Sequence, residues 1–417
     1  MRIIAAKILP LIIANVILFG WTYITYAADV TLPDKSNNIH VVKKGDSLYK
    51  LAKQYNTDVT TVKQMNGLSD NLLVIGQALA MPTKKYNSIE VNAYIEPTTS
   101  SVDSQLLNDV GKYLTYISPF SYQVNPDGSL NPINDSPALA TSKQDEVAGL
   151  LVITNFRNGN FDSELAHKIL TNNSVQESLI NNVLNILKTK GYHGLNIDFE
   201  RIPPEDRKLY NSFLKKVVQK LHSQNYLVST ALAPKTYDIR VGDWHGAHDY
   251  KTHGQLVDFV ILMTYEWGWS GGNPMAVAPI DQVNKVIDYA VSVFPPQKII
   301  LGMPLYGYDW TLPYVPGGKW ARRVSPQDAL ELAARYGVNI EYDQQSQSPY
   351  FHYTDDKGTQ HVVWFEDARS VQAKFDLVNK YKLRGVSYWV LGVPFPQNWS
   401  VLDNLFHIKK AGATLNR

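Results

Sequence analysis

The run Gly194-Leu195-Asn196-Ile197-Asp198-Phe199-Glu200 sets two carboxylates two residues apart in an otherwise apolar stretch. Side chains alternate across a strand, so a strand here turns Leu195, Ile197 and Phe199 to one face and Asn196, Asp198 and Glu200 to the other. Two acids that close together repel. The one nearer an apolar lining is pushed towards its protonated form and can serve as a general acid near neutral pH. Glu200 is the candidate for that acid. An Asp-x-Glu pair by itself describes solvated charges at a strand end just as well, so the elements that position it have to decide.

A strand that is apolar outside and polar inside suits a parallel barrel, where helices cover the outer face and the C-terminal strand ends open on the site. Arg201-Ile202-Pro203-Pro204 breaks the strand, and Glu205 to Gln224 has helical spacing, with Leu209, Phe213, Val217 and Leu221 on one side. Eight strands of this kind are expected: Glu90 to Ile95, Tyr113 to Ile117, Val147 to Thr154, Gly194 to Phe199, Leu227 to Leu232, Phe259 to Tyr265, Ile299 to Leu305 and Val386 to Leu391. Thr311 to Asp367 is too long for a bare loop and carries a helix pattern at Pro326 to Tyr336 and strand-like pieces at Tyr350 to Tyr353 and His361 to Phe365. The predicted fold is α/β: a (β/α)8 TIM barrel over 89–417, with an α+β insertion between strands seven and eight that walls one side of the cleft.

Several strand ends carry groups that suit a sugar site: Tyr94 and Glu96, Asn155, Met263 and Tyr265, Tyr306, and Trp389. The loop from Trp267 to Pro274 is rich in Trp and Gly, and Trp267 and Trp269 suit flat platforms on which a pyranose ring stacks.

Before the barrel lies a compact unit over 39–82. Ile39 to Val42 alternates as a strand, Gly45-Asp46 turns, and Ser47 caps a helix with Leu48, Leu51 and Ala52 inward. Thr57 or Asp58 caps a second helix that Asn66-Gly67 stops, and Leu72 to Met81 returns as a strand closed by Pro82. The order is βααβ.

Composition sets outer bounds. The chain has 417 residues, 44% hydrophobic and 19% charged, and a net charge of +2, which gives no nucleic-acid footprint. The absence of cysteine excludes disulfides, thiolate metal sites and cysteine nucleophiles. His245, His248 and His253, with Asp243 and Asp249, read as a solvated polar loop because their spacing fits no metal-ligand pattern. No phosphate-binding glycine loop is present, so neither metal nor cofactor is expected. At the N-terminus Arg2 and Lys7 precede an apolar run from Ile8 to Trp21, and Thr25 to Ala28 offers a small-residue cleavage site, so 1–28 reads as a signal peptide. The alternative is a retained membrane anchor of about 20 residues, weakened by Pro10, Asn15 and Gly20.

The acid run resembles the signature of family 18 glycoside hydrolases, written D-G-x-D-x-D-x-E. Gly194, Asp198 and Glu200 match it, while His193 and Asn196 stand where the family usually has aspartates. The resemblance implies that Glu200 protonates the glycosidic oxygen and that Asp198 holds the substrate's N-acetyl group as it attacks the anomeric carbon, a substrate-assisted, retaining route with no enzyme nucleophile. Met263-Thr264-Tyr265-Glu266 resembles that family's Met-x-Tyr-Asp run except at Glu266. By the same resemblance the Tyr265 hydroxyl steadies the N-acetyl oxygen and Trp389 floors the sugar. Tyr94, Asn196, Met263, Glu266, Trp267, Trp269 and Tyr306 complete the expected substrate contacts.

Residues 39–82 resemble a LysM domain, through Val41, Lys44 to Leu48, Asn66-Gly67, Leu73, Gly76-Gln77 and Leu79 to Pro82. This implies a grip on N-acetylglucosamine glycans around Gly45, Asp46, Ser47 and Leu73. Tyr265 to Gly272, with Ile117 to Tyr122, is similar to the spore germination and cortex-lytic branch of family 18. The function expected is an exported hydrolase at the cell wall or spore surface, cutting β-1,4 linkages after N-acetylglucosamine in peptidoglycan, including spore cortex fragments. A chitinase or chito-oligosaccharide hydrolase is the alternative enzyme. A catalytically inert glycan-binding wall or coat protein is the alternative from another class, favoured by Asn196.

Overall fold

In the computed structural model, residues 39–82 and 87–411 are described. The N-terminal apolar run lies outside them. Among the described residues no helix is long and apolar enough to cross a membrane. The membrane anchor offered as one reading of that run is not carried further, because no span is found among the described residues.

Eight parallel strands close into a barrel: Ser88–Ile95, Tyr116–Pro119, Ala148–Thr154, Gly194–Asp198, Leu227–Leu232, Phe259–Leu262, Ile299–Pro304 and Gly385–Trp389, each paired to the next and the eighth to the first. They are the first to eighth barrel strands below. The sixth stops at Leu262 rather than at the expected Tyr265, because the chain bends there: Thr264 N donates to Leu262 O and Tyr265 N to Met263 O.

The fourth strand divides its faces as its alternation predicts. Leu195, Ile197 and Phe199 pack outward into the main core, and Phe199 stacks on Tyr210 and Phe213 of the following helix at 6.2 and 6.0 Å between centroids. That helix runs Arg207–His222 after a short 3-10 turn at Pro204–Asp206, and it buries Tyr210, Phe213, Leu214, Val217, Val218 and Leu221. Leu209, expected on the buried face, is exposed. It sits one position, about 100°, from Tyr210, and the stripe that meets Phe199 starts at Tyr210. Each such buried side chain contributes roughly 1.5–3 kcal/mol, so the outer face anchors the acid strand firmly.

The barrel interior is layered. Near its floor Arg384 pairs with Glu90 at 2.5 Å, and Tyr116 donates to Glu90 at 3.1 Å. One layer up, Asn92 bridges Ser118 and Ser387 at 2.8 and 2.9 Å. Buried polar groups are tolerable only when paired in this way.

Between the seventh and eighth strands stands the inserted lobe. It begins at Gly307, somewhat before the expected Thr311, with strands Gly307–Thr311, Arg322–Val324, Glu341–Asp343, Ser348–Thr354 and Gln360–Trp364 in one antiparallel sheet and a helix at Pro326–Arg335. Ser325 and Asp328 form a capping box at the start of that helix.

The small domain has the expected order: strand Ile39–Val41, helices Leu48–Gln54 and Val59–Asn66, strand Ala78–Ala80. Ser47 and Asp58 cap the helices, and Gly67, at φ 64, ends the second in the left-handed region that favours glycine. It belongs to the same compact unit as the barrel. Gln397 Nε2, on the C-terminal helix Pro396–Leu405, donates to Asn66 Oδ1 at 3.1 Å and Ala78 O at 2.7 Å, and Asn404 Nδ2 donates to Met81 O at 3.1 Å. Val74 packs on the lobe's core, and Ile340 N donates to Ile75 O at 3.1 Å.

Candidate active site

Asp198 ends the fourth strand opposite Thr154 of the third, at the C-terminal mouth of the barrel. Beyond it the chain is fixed by three side chains. Asn155 accepts from Glu200 N at 2.9 Å and donates to Glu200 O at 2.8 Å. His248 Nε2 donates to Phe199 O at 3.0 Å while its Nδ1 accepts from Ala233 N at 2.8 Å. Ser163 Oγ donates to Arg201 O at 2.6 Å. An imidazole that meets an N–H on one side and a carbonyl on the other must be neutral. Burial, the main cause, pulls His248 down to about 4 and keeps it so.

Asp198 and Glu200 are 5% and 7% exposed. Burial pushes the Asp198 carboxyl up to about 7. It raises Glu200 as well, and the Asp198 charge raises it further, against a smaller opposing pull from Arg201. Both carboxyls are thus pushed towards their protonated forms, Glu200 by burial and by the neighbouring Asp198 charge together. Asp198 Oδ1 is buried with no hydrogen-bond partner among the described protein groups. Such an atom costs stability unless something else donates to it.

Asn196 does not serve Asp198. Its Oδ1 accepts from Tyr94 OH at 2.8 Å, and its Nδ2 donates to Ser229 Oγ at 3.0 Å. The amide thus fills a buried position without adding a third charge to the acid row.

Tyr265 stands at the bend after the sixth strand, half-buried against Met263, Ala231 and Ala233. A Cβ at Gly302 would lie 3.0 Å from its ring, so the glycine makes room for it. Burial, then the charges of Asp198 and Glu200, hold its hydroxyl protonated. Glu266 follows at φ 67, an uncommon conformation for a residue with a side chain. Its carboxylate accepts from Tyr306 and, at 3.0 Å, from Tyr308, both at the root of the lobe. Trp389 packs edge-on against Tyr94 at 5.5 Å and Phe120 at 4.8 Å, making an aromatic floor.

The structure thus gathers Glu200, Asp198, Asn196, Tyr94, Met263, Tyr265, Glu266, Tyr306 and Trp389 at one mouth. Glu96 is exposed. The two tryptophans of the sixth loop differ: Trp267 is half-buried against the core, while Trp269 is 44% exposed and meets Trp320, 65% exposed, edge-on at 5.7 Å. Ala321 N donates to Ser270 O, and Trp310 Nε1 to Gly272 O, stitching that loop to the lobe. On the small domain, Gly45 is exposed at φ 91, Asp46 accepts from His40 Nε2 and Lys43 N, each at 2.8 Å, and Leu73 is half-buried. These form a separate surface, beside exposed Tyr49 and Leu72.

Sequence reasoning missed the setting of the histidines. His248 and His253 are buried with Lys235, not solvated, and His253 Nδ1 pairs with Thr230 Oγ1 at 3.1 Å. Their polar loop folds under the fifth strand end because Tyr250 OH and Lys235 Nζ satisfy backbone carbonyls there. It also missed Phe120 and Trp320, which no spacing rule singles out. Among the described residues no group of three or more His, Asp or Glu could hold a metal ion. A cavity of about 570 Å³ opens at the other end of the barrel, beside Ile89, Glu90, Arg384 and Phe406, away from the acids. Residues at that end of such a barrel serve stability.

The family model of the glycosyl hydrolases family 18 matches residues 90–393, and that of the LysM domain matches residues 40–82. The chain is 44% identical to the cortical fragment-lytic enzyme of Bacillus subtilis, over 89% of this chain and 99% of that protein. The crystal structure of the Bacillus megaterium spore cortex-lytic enzyme SleL superposes with a TM-score of 0.84 at 40% identity, covering 89% of this chain and 98% of that one. A chitinase from Chromobacterium violaceum superposes with a TM-score of 0.70 at 26% identity, over 76% of this chain and 98% of that one.

Proposed function

The chain belongs to family 18 of the glycosyl hydrolases, and on that premise we propose that it is an exported N-acetylglucosaminidase acting on peptidoglycan, with spore cortex fragments as its substrate class. The observation that carries this reading is the buried pair at the barrel mouth, in which burial and the Asp198 charge push Glu200 towards its protonated form and an Asp198 oxygen has no partner among the described protein groups. A protonated acid and a free acceptor are what a substrate-assisted cut requires.

In the proposed reaction the N-acetyl carbonyl oxygen attacks the anomeric carbon as Glu200 gives its proton to the departing glycosidic oxygen. Asp198 accepts from the N-acetyl N–H, which aligns the group and offsets the positive charge of the bicyclic intermediate. Tyr265 donates its hydroxyl to the N-acetyl oxygen, and preorganised donors of this kind are typically worth about 10²–10³ in rate. Water then attacks the anomeric carbon as its bond to the N-acetyl oxygen breaks and the N-acetyl group re-forms; the water loses its proton to Glu200, which restores the acid with retained configuration. Trp389, with Tyr94 and Phe120 behind it, floors the sugar, and Trp269 extends the groove. Residues 39–82 hold the polymer around Gly45, Asp46, Ser47 and Leu73, and 89–417 cut it.

Turnover of purified peptidoglycan and cortex fragments by wild type and Glu200→Gln, with products identified by mass, tests the reading. Fragments ending in N-acetylglucosamine from wild type alone support it. A wild type as inert as the variant, with both bound to the wall, overturns it in favour of a binding protein. Chitin cleavage without any muropeptide product reverses the substrate assignment.

A further inference from the structure

We infer that Arg201 and Trp244 form a subsite on the leaving-group side of Glu200 that selects a sugar bearing a carboxylate, the 3-O-lactyl acid of a muramic residue or the peptide joined to it. The inference rests on Glu200 as the proton donor, because the glycosidic oxygen it protonates lies between the sugar being cleaved and the one that leaves. Arg201 is the next residue along the chain. Its backbone is in the left-handed region at φ 51, sparsely populated for any residue with a β-carbon, and Ser163 Oγ ties its carbonyl at 2.6 Å. That conformation is maintained at a cost, and its effect is to direct a guanidinium out beside the acid.

The charge it directs there is poorly spent within the protein. Arg207, Arg369 and Arg384 each have a carboxylate at 2.8, 2.6 and 2.5 Å. The carboxylate nearest Arg201 is Asp243, at 3.7 Å with both side chains about half exposed, too far for a hydrogen bond. The guanidinium instead lies over the Trp244 ring at 5.4 Å, which props it while leaving its N–H fork available. The loop that carries Trp244, between the fifth barrel strand and the helix Tyr250–Leu256, also exposes Tyr237 (64%) and Val241 (73%). An exposed indole with one forked cation over it fits a pyranose carrying an acid arm. A forked guanidinium pairs with a carboxylate in two parallel hydrogen bonds, whereas N-acetylglucosamine has only a hydroxyl to offer at that carbon.

The test measures kcat/KM on four oligosaccharides of equal length that differ in the leaving residue: a muramic residue with its free lactyl acid, the same joined to L-alanine, the same as its lactyl amide, and N-acetylglucosamine. For wild type the two acids are expected to exceed the amide and N-acetylglucosamine by about 10- to 100-fold, the range of charge-assisted hydrogen bonds. Which acid leads identifies the source of the carboxylate. Arg201→Gln should remove this preference by lowering the two acids far more than the two neutral substrates, Arg201→Lys should restore part of it, and salt should weaken it. If Arg201→Gln lowers all four substrates alike, Arg201 acts only through Glu200 and the inference fails while the hydrolase reading stands. If wild type cleaves none of the four, the hydrolase reading fails and takes the inference with it.

Discussion

Replacing Asp198 by Asn should make the protein more stable and less active, and the gain in stability should depend on pH in a defined way. In the unfolded chain this carboxyl titrates near 3.8; in the fold, burial moves it up to about 7. The folded state therefore binds more protons than the unfolded one between those values, so wild-type stability declines as pH rises through that window and levels off above it. The shift corresponds to on the order of 4 kcal/mol at full ionisation. Asn keeps the shape and carries no charge, so it escapes that cost. Calorimetric melts of both proteins from pH 4 to pH 9 should show little difference at the acid end. The variant's advantage should open between pH 4 and 7, and reach a plateau on the order of 5 °C above pH 7. An advantage that is constant across the range, or that shrinks as pH rises, refutes the claim that a buried charge at Asp198 is held against its own solvation.

Further outcomes follow from the same geometry. Removing the Asp198 charge also relieves its repulsion of Glu200, so the residual activity of Asp198→Asn should lose its alkaline limb at lower pH than wild type; an unmoved limb means the two acids are not coupled. Tyr265→Phe should cut kcat by about 10²–10³ with little change in KM on a chito-oligosaccharide, and a purely KM effect would reduce Tyr265 to a binding residue. His248→Ala leaves Phe199 O and Ala233 N without their partner. It should cost about 1–3 kcal/mol in urea unfolding and lower kcat more than KM, whereas unchanged stability would mean that water replaces it. Asn66→Ala strips partners from Ala80 N and O and from Gln397, and should cost a similar about 1–3 kcal/mol, visible as an early loss of the small domain's protection in hydrogen exchange.

The acid strand was legible because strand alternation is a hard geometric rule: Leu195, Ile197 and Phe199 could go nowhere but outward once Asn196 and Asp198 lined the interior. The lobe was legible from its length and its own helix pattern. The sixth strand was overextended, since nothing in Met263-Thr264-Tyr265 announces that the backbone bends, and the positive φ of Glu266 is visible only in space. The partners of Glu266 could not be read at all, because Tyr306 and Tyr308 sit at the root of a lobe some forty positions away. His248 shows the opposite failure. Its polar neighbours Asp243, His245 and Asp249 suggested solvent, yet the carbonyl of Phe199 and the amide of Ala233 needed a bifunctional partner and found one there. Polarity in a sequence marks a need for hydrogen bonds, and solvent is only one way to meet it.

The small domain grips the barrel through side-chain amides, Gln397 on Asn66 and Asn404 on Met81, and grips the lobe through Val74 and Ile75. A domain on a loose leash lets its enzyme graze anywhere within a radius, and its benefit is a raised local concentration. If residues 39–82 hold the glycan as proposed, a domain bolted to the frame would act as a stride gauge: the point of hold and the point of scission would keep one offset along the glycan. Each advance then requires the hold to be released, so tighter wall binding by residues 39–82 would shorten the search for substrate and lengthen the dwell between cuts.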